Sequence, residues 1–407
     1  MLKPGTIFCP YCCRTHTIPF YTGTTANGVE LHYKGDKYDI VEKLPPDPDD
    51  PRLGLRDPDT VVGFQLDSVE ETLYAGLPSW VKVRMPNNAE PIRMRRTCPH
   101  CALQNDRANL GTLPTLIVAM VGLRSSGKSA FLNSIAYPGH VAAVNDEGYP
   151  YLLDLAPVPQ KSGLASATPR MGRGMTKLLT IRQRNSSSIP ICHVLLLDVS
   201  GEIYGDVDNK DSHKSTKEHG STLWDEVVNP NELSNILSGD AGYPGVDAVI
   251  FTDPVPGSKP ITKSTLEFGA ADIMNQCVFF NANLDLLPMA FVFTHLDHYT
   301  AKTFPMYQPS SGNPIPLVSE MIFRTGRYSP AQLIDRIYIG DTIARRMDSF
   351  VPGARNKQIT KGFLLQSCSC SDVPDIGLVE DYTNSTNVMD PLLWVLNKLH
   401  VFPLKID

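Results

Sequence analysis

Residues 116–129 read LIVAMVGLRSSGKS, and their reading decides the class of the whole chain. Leu116 to Val121 is an unbroken apolar run of the kind that fills a strand covered on both faces. It breaks at Gly122. Gly122-Leu123-Arg124-Ser125-Ser126-Gly127-Lys128-Ser129 then follows the spacing G-x-x-x-x-G-K-S and leads into the helix-like Ala130 to Ile135. Each part has a physical reason. Glycines at 122 and 127 let backbone N–H groups turn inward as an anion nest, and the helix N-terminus adds its positive dipole end. Lys128 brings a point charge to the β- and γ-phosphates, and the Ser129 hydroxyl is placed to ligate Mg²⁺. Gly122, Ser125, Ser126, Gly127, Lys128, Ser129 and Ala130 are therefore the candidate phosphate site, and the ligand expected is a nucleoside triphosphate.

Working outward, the strand-helix-strand rhythm continues. Met175 to Arg182 reads as a strand, Asn185 to Ser188 as a turn, and Ile191 to Leu197 as a buried strand ending on Asp198. This hairpin brings one antiparallel strand into an otherwise parallel sheet. Asp198-Val199-Ser200-Gly201-Glu202 follows. A carboxylate at the end of a buried strand, downstream of a P-loop, is the expected Mg²⁺ partner. Gly201 can offer its backbone N–H to a γ-phosphate and shift when that phosphate leaves. Gly245 to Thr252, Pro288 to Phe293 and Gly362 to Gln366 are further strands. Helices are expected over Thr222–Leu237, Thr265–Asn281, Pro330–Phe350 and Pro391–Leu399, the last with proline at its first turn. Tyr137 to Arg173, rich in Gly and Pro, reads as irregular.

Ahead of this lie two C-P-x-C turns, Cys9-Pro10-Tyr11-Cys12 and Cys98-Pro99-His100-Cys101. Each aims two thiolates at one point, and Cys9, Cys12, Cys98 and Cys101 together make a closed structural zinc site, the two halves of a zinc ribbon. Cys13, His16 and His100 lie nearby and could substitute for a ligand, but each reads as a bystander. Between the knuckles, Gly28–Tyr33, Val61–Leu66 and Trp80–Met85 read as strands of a small β-rich module. The acidic, proline-rich 45–51 is a loop. Lys82, Arg84, Arg93, Arg95 and Arg96 form a basic cluster that reads as a solvated surface, with nucleic acid not favoured. The boundary is expected at 1–112 and 113–407.

Composition agrees. The 407 residues are 42% hydrophobic and 20% charged with a net charge of −6, so the chain as a whole is no electrostatic nucleic-acid binder. No apolar run reaches the roughly 18–20 residues that cross a bilayer. Met1-Leu2-Lys3-Pro4-Gly5 leads into no signal-peptide core, so a cytoplasmic location with reduced cysteines is expected.

Residues 113 to 407 resemble the GTPases of the translation-factor and Ras-like (TRAFAC) class in the order of P-loop, D-x-x-G, a T/N-K-x-D-like element and a Ser-containing last loop. The resemblance implies an α/β fold, a six-stranded, mostly parallel sheet with helices on both faces, and GTP or GDP at the C-terminal strand ends. It implies that Thr294, His295 and Asp297 face the base, with His295 where lysine is usual, and that Ser367 and Cys368 lie beside the guanine carbonyl. Thr176, or alternatively Thr168, takes the place of the switch I threonine that ligates Mg²⁺ with Ser129 and Asp198. Arg173, three residues earlier, resembles the built-in catalytic arginine of heterotrimeric G-protein α subunits, with Arg170 as its rival. Glu202 stands where Ras-like proteins orient water with Gln. The zinc knuckles in front and the tail DPLLWVLNKL also resemble double-GTPase families of bacterial antiphage gene systems. That resemblance implies a switch acting through a protein effector or partner GTPase. An ATP-hydrolysing P-loop enzyme and a non-hydrolysing nucleotide-bound scaffold are the competing readings.

Overall fold

The computed structural model describes residues 1–17, 19–24, 30–34, 39–43, 60–63, 65–69, 78–84, 90–101, 103, 111–122, 126–155, 161–163, 177–185, 188–198, 230–254, 286–294, 360–365, 367–373, 377–385 and 388–402. They fall into two compact units, Leu2–Thr115 and Leu116–Asp407, the latter with Met1.

The first unit is β-rich. It contains β1 (Ile7–Phe8), β2 (Thr15–His16), β3 (Phe20–Thr24), β4 (Glu30–Lys34), β5 (Asp39–Lys43), β6 (Thr60–Gly63), β7 (Gln65–Val69), β8 (Trp80–Arg84) and β9 (Ile92–Arg96). β1 and β2 form a small antiparallel ribbon, and the others form a seven-stranded sheet in the order β6-β5-β4-β3-β9-β8-β7. Strict alternation explains its polarity. Val81, Val83 and Met94 are buried while Arg84, Arg93 and Arg95 are exposed. Arg96 departs from the expected surface cluster: it is fully buried on the inner face with Tyr21, its direct partner across β3–β9.

The second unit is an α/β layer built on β10 (Thr115–Gly122), all eight of whose residues are buried. Around it stand α1 (Lys128–Ile135), α2 (Pro138–Asp146), β11 (Tyr151–Leu155), β12 (Lys161–Gly163), β13 (Lys177–Gln183), β14 (Pro190–Asp198), α3 (Pro230–Ser238), β15 (Ala248–Pro254), β16 (Met289–Thr294), β17 (Thr360–Leu364), β18 (Ser369–Val373), β19 (Gly377–Asp381) and α4 (Asp390–Lys398). The main sheet runs β11-β13-β14-β10-β15-β16-β17. It is mostly parallel: β10–β15, β15–β16 and β16–β17 pair parallel, while β13 is antiparallel to both β11 and β14. The expected class therefore holds, with one strand more than the six anticipated. The extra strand, β11, lies with α2 inside the stretch expected to be irregular. Pro138 sits in the first turn of α2, where its missing N–H costs nothing, and only pairing with β13 makes the short YLLDL run a strand. One face of the sheet packs against Phe131, Leu132 and Ile135 of α1 and Leu392, Leu393, Trp394, Val395 and Leu396 of α4. A separate three-stranded sheet, β12-β19-β18, joins the segment after β11 to a hairpin that follows β17.

The helices expected over Thr265–Asn281 and Pro330–Phe350 lie outside the described residues. Of Thr222–Leu237, only α3 lies inside them.

Candidate functional site

β10 delivers the chain to the C-terminal edge of the sheet at Gly122, between β14 and β15. This is the edge at which parallel α/β sheets hold ligands. Gly122 is there for space. A Cβ on it would lie 2.1 Å from Thr252 Oγ1 and 2.6 Å from both Ser126 Oγ and the Thr252 carbonyl oxygen. Gly127 is there for conformation: it N-caps α1 at φ 76°, a left-handed value that favours glycine, and its carbonyl accepts the Phe131 N–H at 2.9 Å. Two hydroxyls from neighbouring strands hold the turn between them. Thr252, near the end of β15, shares a 2.8 Å hydrogen bond with Ser126 Oγ, and Thr294, at the end of β16, donates to the Ser126 carbonyl at 2.6 Å. All three side chains are buried.

Lys128 and Asp198 meet at this edge. Lys128 is 6% exposed and Asp198 2%, and Lys128 Nζ lies 3.6 Å from Asp198 Oδ1. A buried carboxylate facing a buried ammonium beside a helix N-terminus suits a cation bound to an anion: the ammonium would meet the phosphate and the carboxylate the metal. The residues present therefore fit a Mg²⁺–triphosphate group. Ser129 and Ala130, the second and third residues of α1, are half-buried.

Ser367, beyond β17, is buried, and its hydroxyl makes no hydrogen bond among the described residues. Its carbonyl accepts a hydrogen bond from Ser385 Oγ, which in turn accepts one from Ser134 Oγ of α1 at 2.9 Å. Cys368 beside it is half-buried. Ser125, Thr176, Arg173, Gly201, Glu202, His295 and Asp297 lie outside the described residues, as do Thr168 and Arg170. Sequence reasoning missed Thr252 and Ser385. A hydroxyl closing the apolar run Ala248 to Phe251 was the signal for Thr252. Nothing local marks Ser385.

The four cysteines come together within the first unit. Their sulfurs all lie within 4.8 Å of one another, with Cys9 to Cys101 at 3.7 Å and Cys12 to Cys98 at 3.6 Å. Four sulfurs about 2.3 Å from a tetrahedral zinc would stand roughly 3.8 Å apart, so the set fits that ion. Cys9 N–H donates to the Arg14 carbonyl and Cys98 N–H to the Leu103 carbonyl, both at 2.9 Å, which closes each turn behind its first cysteine. His100 N–H points to Cys98 Sγ at 3.4 Å. Hydrogen bonds from Cys101, Cys12 and Cys9 hold the Cys98 thiol far below its ordinary value, and hydrogen bonds from Cys12 and Cys9 lower Cys101. Cys9 and Cys12 are raised, first by their hydrogen bonds to Cys101 and then by burial among others. Cys13 is buried at φ 53° and, like His16 and His100, stands outside the four-sulfur set.

The class is thus an α/β P-loop fold behind a β-rich module that carries a four-cysteine cluster. No protein-family model matches the sequence, and no curated protein matches it. Among solved structures, the septin GTPase domain from Chlamydomonas reinhardtii is similar at 14% identity, over 71% of this chain and 94% of that one, with a TM-score of 0.30. The cytosolic domain of the T. maritima FeoB iron transporter in apo form is similar at 11% identity, over 47% of this chain and 50% of that one, with a TM-score of 0.19. Neither likeness bears on activity. No helix among the described residues is long and apolar enough to cross a membrane.

Two outcomes are expected. Protein purified without chelators carries one zinc per chain by elemental analysis, and Cys98→Ser loses it along with the fold of the first unit, while nucleotide binding by the second unit persists. Gly122→Ala displaces Thr252 or Ser126, and nucleotide affinity by calorimetry falls more than about tenfold, or roughly 1.4 kcal/mol, with circular dichroism unchanged.

Proposed function

We propose that the chain is a Mg²⁺-dependent GTPase switch, with its zinc module structural and its output a change in affinity for a protein effector or partner GTPase. The observation that carries this reading is the buried Lys128–Asp198 pair where β10 ends and α1 begins.

In this reading the backbone from Gly122 to Ala130, with Ser125, Ser126 and Gly127, cradles the phosphates, and Lys128 neutralises the β- and γ-oxygens. Ser129, Thr176 and Asp198 would hold the metal. Bound Mg²⁺ supplies charge neutralisation between the β- and γ-phosphates. The Gly201 N–H would reach the γ-phosphate, and its movement on release would be the switch. His295, Asp297, Ser367 and Cys368 take the base. Thr294 would face the base with them, and its hydroxyl donates to the Ser126 carbonyl. Asp297 would accept from the guanine N1–H and exocyclic amine, and a His295 imidazole would stack on the ring. Arg173 would add positive charge as the bond to the leaving oxygen breaks, and Glu202 would orient the water that attacks. A place in a multi-component, antiphage-type system belongs to the same proposal and rests on the resemblance; a cytoplasmic location belongs to it as well.

Competition binding tests the base. The expected result is strong preference for GTP over ATP, with Lys128→Ala binding neither and Asp297→Ala losing about 1–3 kcal/mol for GTP but little for ATP. Equal wild-type affinity for the two nucleotides would make this a P-loop ATPase. Tight binding without turnover would make it a scaffold. Single-turnover hydrolysis at saturating GTP tests the arginine: Arg173→Ala is expected to be slower by about 10³-fold. If Arg170→Ala is the slow variant instead, the catalytic charge comes from position 170.

A further inference from the structure

Strands β8 and β9 carry a second feature, on the face turned away from their core. Residues directly opposite across an antiparallel pair share a face. Trp80 lies opposite Arg95, and Lys82 opposite Arg93. Arg84 lies two residues beyond Lys82 and opposite Gln65 of β7. One face therefore gathers Trp80, Lys82, Arg84, Arg93 and Arg95, while Val81, Val83, Met94 and Arg96 turn inward. Arg84, Arg93 and Arg95 are exposed, and Trp80 and Lys82 half-buried.

The cations are arranged around the ring. The Arg93 guanidinium lies 4.7 Å from the Trp80 ring centroid and Lys82 Nζ lies 5.9 Å from it. A guanidinium seated on an indole is held by the ring's quadrupole, while its N–H edge can still meet an anion, so little is lost in ordering it. Same-face neighbours along a strand are about 7 Å apart and adjacent strands about 5 Å, so the four charges form a flat grid rather than a single point. Among the described residues, Asp67 trims one corner by pairing with Arg84 at 2.8 Å, and exposed Glu90 precedes β9.

We propose that this face of β8 and β9 binds single-stranded nucleic acid. Lys82, Arg93 and Arg95 would contact successive phosphates, and a base would stack on the Arg93–Trp80 pair. The flat aromatic platform among the cations favours this occupant over an acidic peptide, which would use the charges and gain little from the ring. With the whole chain at −6, attraction is confined to the face, so binding should be strongly salt-sensitive.

The test is fluorescence anisotropy of the full chain with a labelled oligothymidylate of about 12 nucleotides over a salt series, with an oligoglutamate peptide of equal charge as competitor. Expected is saturable binding that Arg93→Gln with Arg95→Gln weakens by more than tenfold, with the log–log salt slope reduced by about 1.4, or about 0.7 for each lost contact. Trp80→Ala weakens it about tenfold and Trp80→Phe restores most of the loss. Circular dichroism, bound zinc and nucleotide binding stay unchanged in all variants. No binding at low salt, equal binding by the double variant, indifference to Trp80→Ala, or displacement by oligoglutamate at equal concentration would each overturn the proposal, the last in favour of an acidic protein partner.

Discussion

The site of the second unit depends on how closely β10 and β15 approach where β10 ends. At Gly122 the two backbones leave no room for a Cβ: the Thr252 carbonyl and hydroxyl both stand where one would go. This closeness lets Thr252 reach Ser126 from one strand while Thr294 reaches it from the next. A glycine-rich turn has a large conformational entropy to lose. The two hydroxyls offset part of that cost where they hold Ser126, just ahead of the left-handed Gly127. Lys128 and Asp198 complete the arrangement electrostatically. A buried ammonium alone would be costly, and beside Asp198 it is neutralised within the protein.

The first unit answers a different constraint. Its sheet offers a narrow inner layer, with Tyr21, Val81, Val83 and Met94 buried and Leu66 and Val69 of β7 left exposed. A small layer of this kind gains little from hydrophobic burial. Four sulfurs gathered from two turns 86 or more residues apart would let a metal supply the closure that the core does not. Alternation along β8 and β9 then leaves the opposite face to charge.

The three-stranded sheet β12-β19-β18 gives the second unit a link between distant segments. β12 lies just ahead of 164–176, and the β18–β19 hairpin just behind Ser367 and Cys368. Ser385 closes the base of that hairpin onto the Ser367 carbonyl and onto Ser134 of α1. The helix that begins with Lys128 is thereby tied at its other end to the loop beyond β17.

Much of this was legible locally. An apolar run, two glycines at fixed spacing and a Lys-Ser pair specify the strand and the helix that follows it, because each depends on the backbone of its own few residues. Asp198 was marked for the same reason, as a carboxylate closing a buried strand, whereas Thr294 was named through the family resemblance. The two C-P-x-C turns marked the four cysteines that the fold gathers, since each turn shapes itself. What the sequence could not show depends on partners far along the chain. β11 is a strand only because β13 lies beside it. Thr252 serves the loop only because β15 is the neighbour of β10. Arg96 and Arg95 look alike in sequence, but register with β3 and β8 sends one into the core and the other onto the open face with Trp80. Local spacing determined which groups the chain carries. Strand pairing, whose period of two turns each side chain to one face or the other, decided which of them meet.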